Sequence, residues 1–164
     1  MERTLVLLKP DTLQRGLMGQ ILTRFENAGL KIIGMKMAQP DEDHYHKHYE
    51  DISKLITRRG EDVYHRNAGA MMAGPVVAIV LEGVESIELV RKLVGDTEPK
   101  SAAPGTIRGD YAHMSMKHSN HKDAALPNLV HASGNAEEAK QEIELWFSDQ
   151  ELFEYKLSHQ HLTQ

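Results

Sequence analysis

The chain has 164 residues, 19 basic and 24 acidic side chains, a formal charge of −5 and no cysteine, which suits one domain over residues 1–164 and excludes disulfide and thiolate chemistry. The acidic balance argues against bulk nucleic-acid binding but leaves room for a small phosphate ligand held by a local cluster of Arg and Lys. No apolar run approaches the ~20 residues of a membrane span, and Met1-Glu2-Arg3-Thr4 leads straight into a strand-like segment with no signal-peptide core, so a cytoplasmic protein is expected.

Thr4 to Leu8 is an apolar run closed by Lys9-Pro10-Asp11, the pattern of a buried strand ending in a polar loop. Met18, Ile21, Leu22 and Phe25 fall at helical spacing, with Gly29 as the stop. Lys31 to Met37 reads as a strand, and Asp41 to Asp51 as a polar helix just after Pro40. The register of 53–74 is unclear, because Arg58-Arg59-Gly60 and Asn67-Ala68-Gly69 are loop signals. Pro75 to Leu81 is the clearest strand. Ile87, Val90 and Val94 mark a helix, and Asp96 to Asp110 a long loop. Tyr111 to Met116 reads as a short strand, and Ser115 to Asp123 as an exposed loop that Pro127 must end. Asn135 opens a last helix with Glu138 in capping-box position and an apolar face of Ala139, Ile143, Trp146 and Phe147. Two β-α-β units of similar length predict an α/β (α+β sandwich) fold: a ferredoxin-like split βαβ with a four-stranded antiparallel sheet and helices packed on it.

Three polar segments could carry chemistry: Lys9-Pro10-Asp11, Arg91 to Asp110, and Asn128 to Ser133. The middle one holds Arg91, Lys92, Thr97, Lys100, Ser101, Thr106 and Arg108. Arginine forks and threonine hydroxyls suit phosphate oxygens; the competing reading is a solvated loop with ordinary surface cations. No G-x-x-x-x-G-K-[ST] or G-x-G-x-x-G is present, so a phosphate site here must use side chains. His44, His46 and His48 alternate, but on a helix residues two apart diverge, which disfavours a metal site. His113, His118 and His121 form a second cluster. Composition and periodicity reach a soluble α/β domain with an anion site and go no further.

Four motifs in order carry a resemblance. They are Thr4-Leu5-Val6-Leu7-Leu8-Lys9-Pro10-Asp11, Gly74-Pro75-Val76-Val77-Ala78, Pro104-Gly105-Thr106-Ile107-Arg108-Gly109-Asp110-Tyr111, and Asn128-Leu129-Val130-His131-Ala132-Ser133, with Leu145-Trp146-Phe147 closing the last helix. Together they resemble the nucleoside diphosphate kinases over nearly the whole chain. The resemblance implies ping-pong transfer of a γ-phosphoryl group from a nucleoside triphosphate to a nucleoside diphosphate through a phosphohistidine on His131. It implies that Arg91, Thr97 and Arg108 grip phosphates, and that Lys9 and Asn128 hold the sugar hydroxyls, with Lys9 also near phosphate. Glu142 and Ser133 would orient the histidine, and Tyr49 would support the wall. Mg²⁺ would enter on the β- and γ-phosphates without a protein cage, and a homo-oligomer, with a hexamer favoured, is expected.

Two stretches depart from the family's pattern. Residues 53–73 are longer and lack the family's base-stacking phenylalanine; counting back from Gly74, Val63 or Tyr64 takes that place. Residues 112–127 are also longer; this is either a harmless surface insertion, which chains tolerate at small entropic cost, or a loop in which Lys117 and Lys122 add positive potential near the site. A catalytically weak member acting as a nucleotide-binding or scaffolding module is the alternative. A ferredoxin-like nucleic-acid-binding domain is disfavoured by the acidic balance and by the lack of an aromatic RNA-binding strand.

Overall fold

The computed structural model describes residues 1–163. Its sheet has four strands: β1 (Glu2–Leu8), β2 (Lys31–Ala38), β3 (Val76–Gly83) and β4 (Val130–Ala132). They lie in the order β2-β3-β1-β4, and every pairing is antiparallel. Successive side chains on a strand point to opposite faces. Leu5, Leu7, Ala78 and Val80 therefore enter one core, and Val6, Leu8, Val77 and Ile79 the other. Both faces are buried, which is why β1 and β3 read as unbroken apolar runs and not as alternating ones.

After α1 (Pro10–Gln14), α2 (Met18–Asn27) lays Ile21 and Phe25 on the second core. α3 (Glu42–His46) starts on the cap made by Asp41, whose carboxylate accepts from the His44 amide at 2.9 Å. It runs on as a π-helical stretch, Lys47–Ile52. This segment is not polar all round as its composition suggests, because Tyr45, His48 and Tyr49 are buried. α4 (Leu55–Arg59) and α5 (Glu61–Met72) follow. α6 (Ser86–Val94) packs on the second core, and α7 (Ile107–Tyr111) and α8 (Met116–His121) lie in the long connection to β4. α9 (Ala136–Trp146) buries Ala139, Ile143 and Trp146 behind β1, and a short α10 (Gln160–Thr163) is the last described element. The Asn135 cap holds, its side chain accepting from the Glu138 amide at 2.9 Å.

The split βαβ sandwich is as expected, but three segments differ. The fourth strand is Val130–Ala132, not Tyr111–Met116; Tyr111 instead ends α7, capped by Thr106. Residues 55–72, whose register the sequence leaves unclear, are two helices. Gly60, at φ 92°, makes the break between them. Asn67 does not break α5, since its amide bonds back to Val63 O at 2.7 Å, and Gly69 faces open space. Ser115 to Asp123 is not a loop: α8 forms because the Ser115 hydroxyl caps the His118 amide at 3.2 Å. Among the described residues, no helix is long and apolar enough to cross a membrane.

Candidate active site

A cleft of about 630 Å³ opens where the end of β1, the π-helical stretch, α4–α5, the end of α6, α7 and the start of β4 converge. His131 faces it from the edge strand β4, paired with Leu7 of β1. Its Nε2 lies 2.8 Å from Oε1 of Glu142, a carboxylate on α9 with no solvent exposure. The other oxygen, Oε2, accepts from Ser133 Oγ at 2.6 Å, and that hydroxyl accepts from the Leu5 amide at 3.1 Å. Burial pushes the Glu142 carboxyl up, but the charge and hydrogen bond of His131, then His48 and Ser133, outweigh it and hold it at about 2. An ionised carboxylate can only accept, so the network assigns the imidazole hydrogen to Nε2 and leaves the lone pair on Nδ1.

Behind this pair stands His48, fully buried on the π-helical stretch. Its ring meets that of His131 edge-on, at 4.5 Å between centroids and 77° between planes. Trp146 Nε1 donates to its Nδ1 at 3.3 Å, while its Nε2 has no hydrogen-bond partner. Burial, the His131 charge and, more weakly, His44 depress it to about 3 against the pull of Glu142. It is a neutral wall beside the His131 ring. Tyr49, next along, lines the cleft and is raised by burial.

The cationic side begins at Lys9, just past β1. Its Nζ donates to Asn128 Oδ1 at 2.9 Å, and burial, opposed by Asp11 and aided by Arg108, lowers it to about 8. Asn128 in turn donates through Nδ2 to Thr97 O at 2.9 Å. Arg108 spends its fork on backbone: Nε on Asn128 O at 3.0 Å, Nη1 on Gly95 O at 3.0 Å and Nη2 on Val130 O at 2.5 Å. Burial first and the nearby Arg91 charge second depress it to about 10. It is thus a brace for the β4 segment as well as a cation of the cleft. Between Asn128 and β4, Leu129 sits at φ 68°, a left-handed conformation unusual for a non-glycine. Three hydrogen bonds hold it there: Asp11 Oδ2 accepts from its amide at 3.1 Å, and its carbonyl accepts from Lys9 N at 2.9 Å and Thr12 Oγ1 at 2.6 Å, with its side chain fully buried.

Lys9, Tyr49, Arg91, Thr97, Arg108, Asn128 and His131 all line the one cleft, and Ser133 and Glu142 stand directly behind the histidine. Tyr64 does not join them. It turns into the core with Ala68 and Met71, its ring 5.6 Å from that of His46, because positions 64, 68 and 71 form the buried stripe of α5. Val63, one residue earlier, is the one that lines the cleft. His46 turns away towards Tyr64, as a residue two positions from its neighbours on a helix must, while the rings of His44 and His48 both pack on Trp146. Among the described residues, the one group of metal-ligand type is His48, His131 and Glu142; His113, His118 and His121 form none. Lys117 and Lys122 are exposed and do not line the cleft. Sequence reasoning missed His48, Trp146 and the cleft-lining Arg58, Arg59 and Arg66. The helical spacing of Tyr64, Ala68 and Met71 is the signal that would have put Val63 and Arg66 on the opposite side of α5 from the core.

Comparisons with known proteins agree with this geometry. The family model described as nucleoside diphosphate kinase matches residues 2–152. The nucleoside diphosphate kinase of Borreliella burgdorferi is 46% identical over 156 residues, which are 95% of this chain and 93% of that protein. That of Pyrococcus furiosus is 44% identical over 154 residues, 94% of this chain and 88% of that protein. Among solved structures, a transition-state mimic of the Borrelia burgdorferi enzyme with bound vanadate and ADP matches with a TM-score of 0.95 at 44% identity, covering 99% of this chain and 96% of that one. A halophilic enzyme from Halobacterium salinarum in complex with CDP matches with a TM-score of 0.83 at 37% identity, covering 98% and 97%. With the motifs, the fold and the histidine cleft in agreement, the chain belongs to the nucleoside diphosphate kinase family.

Proposed function

We propose that the chain moves the γ-phosphoryl group of a nucleoside triphosphate to a nucleoside diphosphate in two half-reactions through His131. The observation that carries this reading is the pairing of His131 Nε2 with the buried Glu142 carboxylate at the wall of a cation-lined cleft. In the first half-reaction the Nδ1 lone pair attacks the γ-phosphorus, the bond to the β-phosphate oxygen breaks, and the diphosphate leaves with that electron pair. The ring becomes a phospho-imidazolium whose Nε2–H still faces Glu142, so the new positive charge forms beside a fixed negative one. The second half-reaction is the reverse, with a different diphosphate as acceptor. Arg91, Arg108 and Lys9 supply positive charge for the phosphates, with Thr97 and Asn128 as polar partners. The family's intact set of these side chains favours an active enzyme over a binding or scaffolding module.

A divalent ion, Mg²⁺ by its preference for phosphate oxygens, fits this cleft only as a passenger on the nucleotide. Among the described residues the one carboxylate lining the cleft is Glu138, whose oxygens are already bonded to Gly134 N at 3.1 Å and Asn135 Nδ2 at 3.0 Å. When bound, the ion would neutralise charge between the β- and γ-phosphates; this chain's own residues hold the remaining oxygens. For the base, Leu55 and Val63 on one side and Ala124, Ala125 and Leu126 on the other offer apolar contact without donors, which suits acceptance of both purines and pyrimidines.

We also infer a homo-oligomer, with a hexamer favoured, and a cytoplasmic location for a chain without cysteine. β2 is an edge strand whose first half bonds the 153–155 segment, and Met35 and Met37 beyond it are 53% and 62% exposed, an apolar strip suited to a second copy.

The deciding experiment exposes the protein to ATP and measures intact mass. One added phosphoryl group, acid-labile and absent from His131→Ala, is expected, with loss of turnover in the same variant. Normal labelling and turnover in the alanine variant would end the proposal.

A further inference from the structure

The end of α8 carries an aspartate where a helix favours glycine. Asp123 N–H donates to Asn120 O at 3.1 Å and Ala124 N–H to Ser119 O at 3.0 Å. These are the paired bonds of a helix end whose closing residue turns left-handed. That residue is Asp123, at φ 49°. Glycine takes this conformation freely, whereas a residue with a Cβ is strained there. The carboxylate does no capping at this end. It reaches across to α5, where Oδ1 lies 2.9 Å from Nη1 of Arg66. Among the described residues this is the one hydrogen bond between the segment 53–73 and the segment 112–127. Both segments line the cleft, the first through Val63 and Arg66, the second through Ala124 and Leu126.

We propose that Arg66 and Asp123 are positioning residues for the known reaction: their ion pair ties the α5 wall of the cleft to the α8 wall and so sets the gap that receives the uncharged part of the nucleotide. This rests on the reading of the cleft as the nucleotide site. The His131 end already holds the cations suited to phosphates, while Val63, Ala124 and Leu126 flank the tie. That arrangement places base and sugar, not phosphate, beneath it. Asp123 is 89% exposed and Arg66 23%, so the tie is weak and salt-sensitive. It can part to admit and release nucleotide without melting either helix. Backbone strain at Asp123 is retained by a residue whose side chain acts elsewhere, which is the pattern expected of strain kept for function.

The test measures ADP affinity by calorimetry, together with kcat, KM and Tm, in Asp123→Gly, Asp123→Asn, Arg66→Gln and the exchanged pair Arg66→Asp with Asp123→Arg. Each single variant should weaken ADP binding and raise KM by about two- to fivefold, the scale of a partly exposed ion pair. kcat should be kept within about twofold, the pattern of lost uniform binding. The exchanged pair should recover the affinity, and high salt should erase the difference between wild type and variants. Asp123→Gly should raise Tm while weakening ADP binding; a purely structural helix end would move the two together. Unchanged ADP affinity in the Asp123 variants overturns the proposal. So does weakening confined to Arg66→Gln, which would make Arg66 a direct anion ligand, and so does an exchanged pair that fails to recover. A wild type that binds ADP but transfers no phosphate would remove the functional reading and leave this one measurable.

Discussion

Glu142 holds His131 by Nε2 at 2.8 Å and is itself held by Ser133 at 2.6 Å, so the nucleophile's orientation and its counter-charge come from a single buried carboxylate. Glu142→Gln keeps the shape: the amide oxygen can still accept from Nε2 and the amide nitrogen can donate to Ser133. What it removes is the charge that answers the phospho-imidazolium. kcat should fall by ~10²-fold, the scale of one preorganised electrostatic partner, with KM little changed. Steady-state kinetics and the rate of phosphoenzyme formation in a single turnover would show it. A variant with normal kcat would mean that the carboxylate only positions the ring.

Arg91 and Arg108 should separate in their effects, although both are cations of the same cleft. Arg91 lies exposed on the last turn of α6, so Arg91→Ala should lower transfer by ~10²-fold and leave Tm unchanged. Arg108→Ala should lower transfer at least as far and also destabilise the fold. It removes the side-chain donors from the carbonyls of Gly95 and Val130 and one of the two donors on Asn128 O, which keeps Val130 N, and each buried group left unsatisfied costs about 1–3 kcal/mol. Thermal melts beside kinetics make the comparison, and equal Tm values for the two variants would refute the bracing role.

The depressed Lys9 makes phosphate capture sensitive to alkaline pH. Its folded value of about 8 lies below the ordinary lysine value of 10.5. Between these values the unfolded chain binds the proton and the folded one does not, so this group's contribution to stability rises with pH across that window. Function moves the other way. Above pH 8 the free enzyme loses a cation, and bound phosphate draws the proton back. ADP binding near pH 8.5, about half a unit above that value, should therefore take up protons. Calorimetry in two buffers of different ionisation enthalpy would detect the uptake, and Lys9→Gln should abolish it. Equal apparent enthalpies in both buffers would contradict the assignment.

His48 predicts an early acid limb of stability. It is held neutral at about 3 against an ordinary 6.5, so below 6.5 the unfolded chain gains a proton that the folded chain refuses. Stability should fall as pH drops from 6.5 towards 3, joined below 4.5 by Glu142 as it approaches its folded value of about 2. Denaturant melts between pH 7 and 5 should slope in wild type and be flatter in His48→Phe. A slope that survives the substitution would assign the acid limb to another group.

β1 and β3 were legible because they are unbroken apolar runs between polar stops. α9 was legible because Asn135, Glu138 and its apolar positions agree on one register. β4 was not. At three residues it is too short for periodicity, and it is defined by its pairing with β1, more than a hundred residues earlier in the chain. α5 was hidden by Asn67-Ala68-Gly69, a turn-like triplet that the tertiary packing of Ala68 overrides. In the site, the motifs located His131, Lys9, Asn128 and Arg108 but not their division of labour. That Arg108 binds three backbone carbonyls, or that His48 stands at the nucleophile's ring, leaves no pattern in sequence. Tyr64 and Val63 are adjacent, and only the rotation of α5 decides which of them reaches the cleft.

The left-handed Leu129 has a consequence for the order in which the protein becomes an enzyme. Nothing in residues 128–131 prefers that backbone; it is imposed by Lys9, Asp11 and Thr12, whose contacts span 117 to 119 positions of sequence. Closing loops of that length comes late, after local helices and the β2-β3 and β1-β3 ladders have had time to form. Until the N-terminal corner clamps Leu129, His131 exists as a residue but not as a nucleophile with a fixed direction. In a refolding time course, helical signal should therefore return before capacity for phosphoryl labelling. A copy lacking Lys9 to Thr12 should keep much of its secondary structure and still be chemically silent.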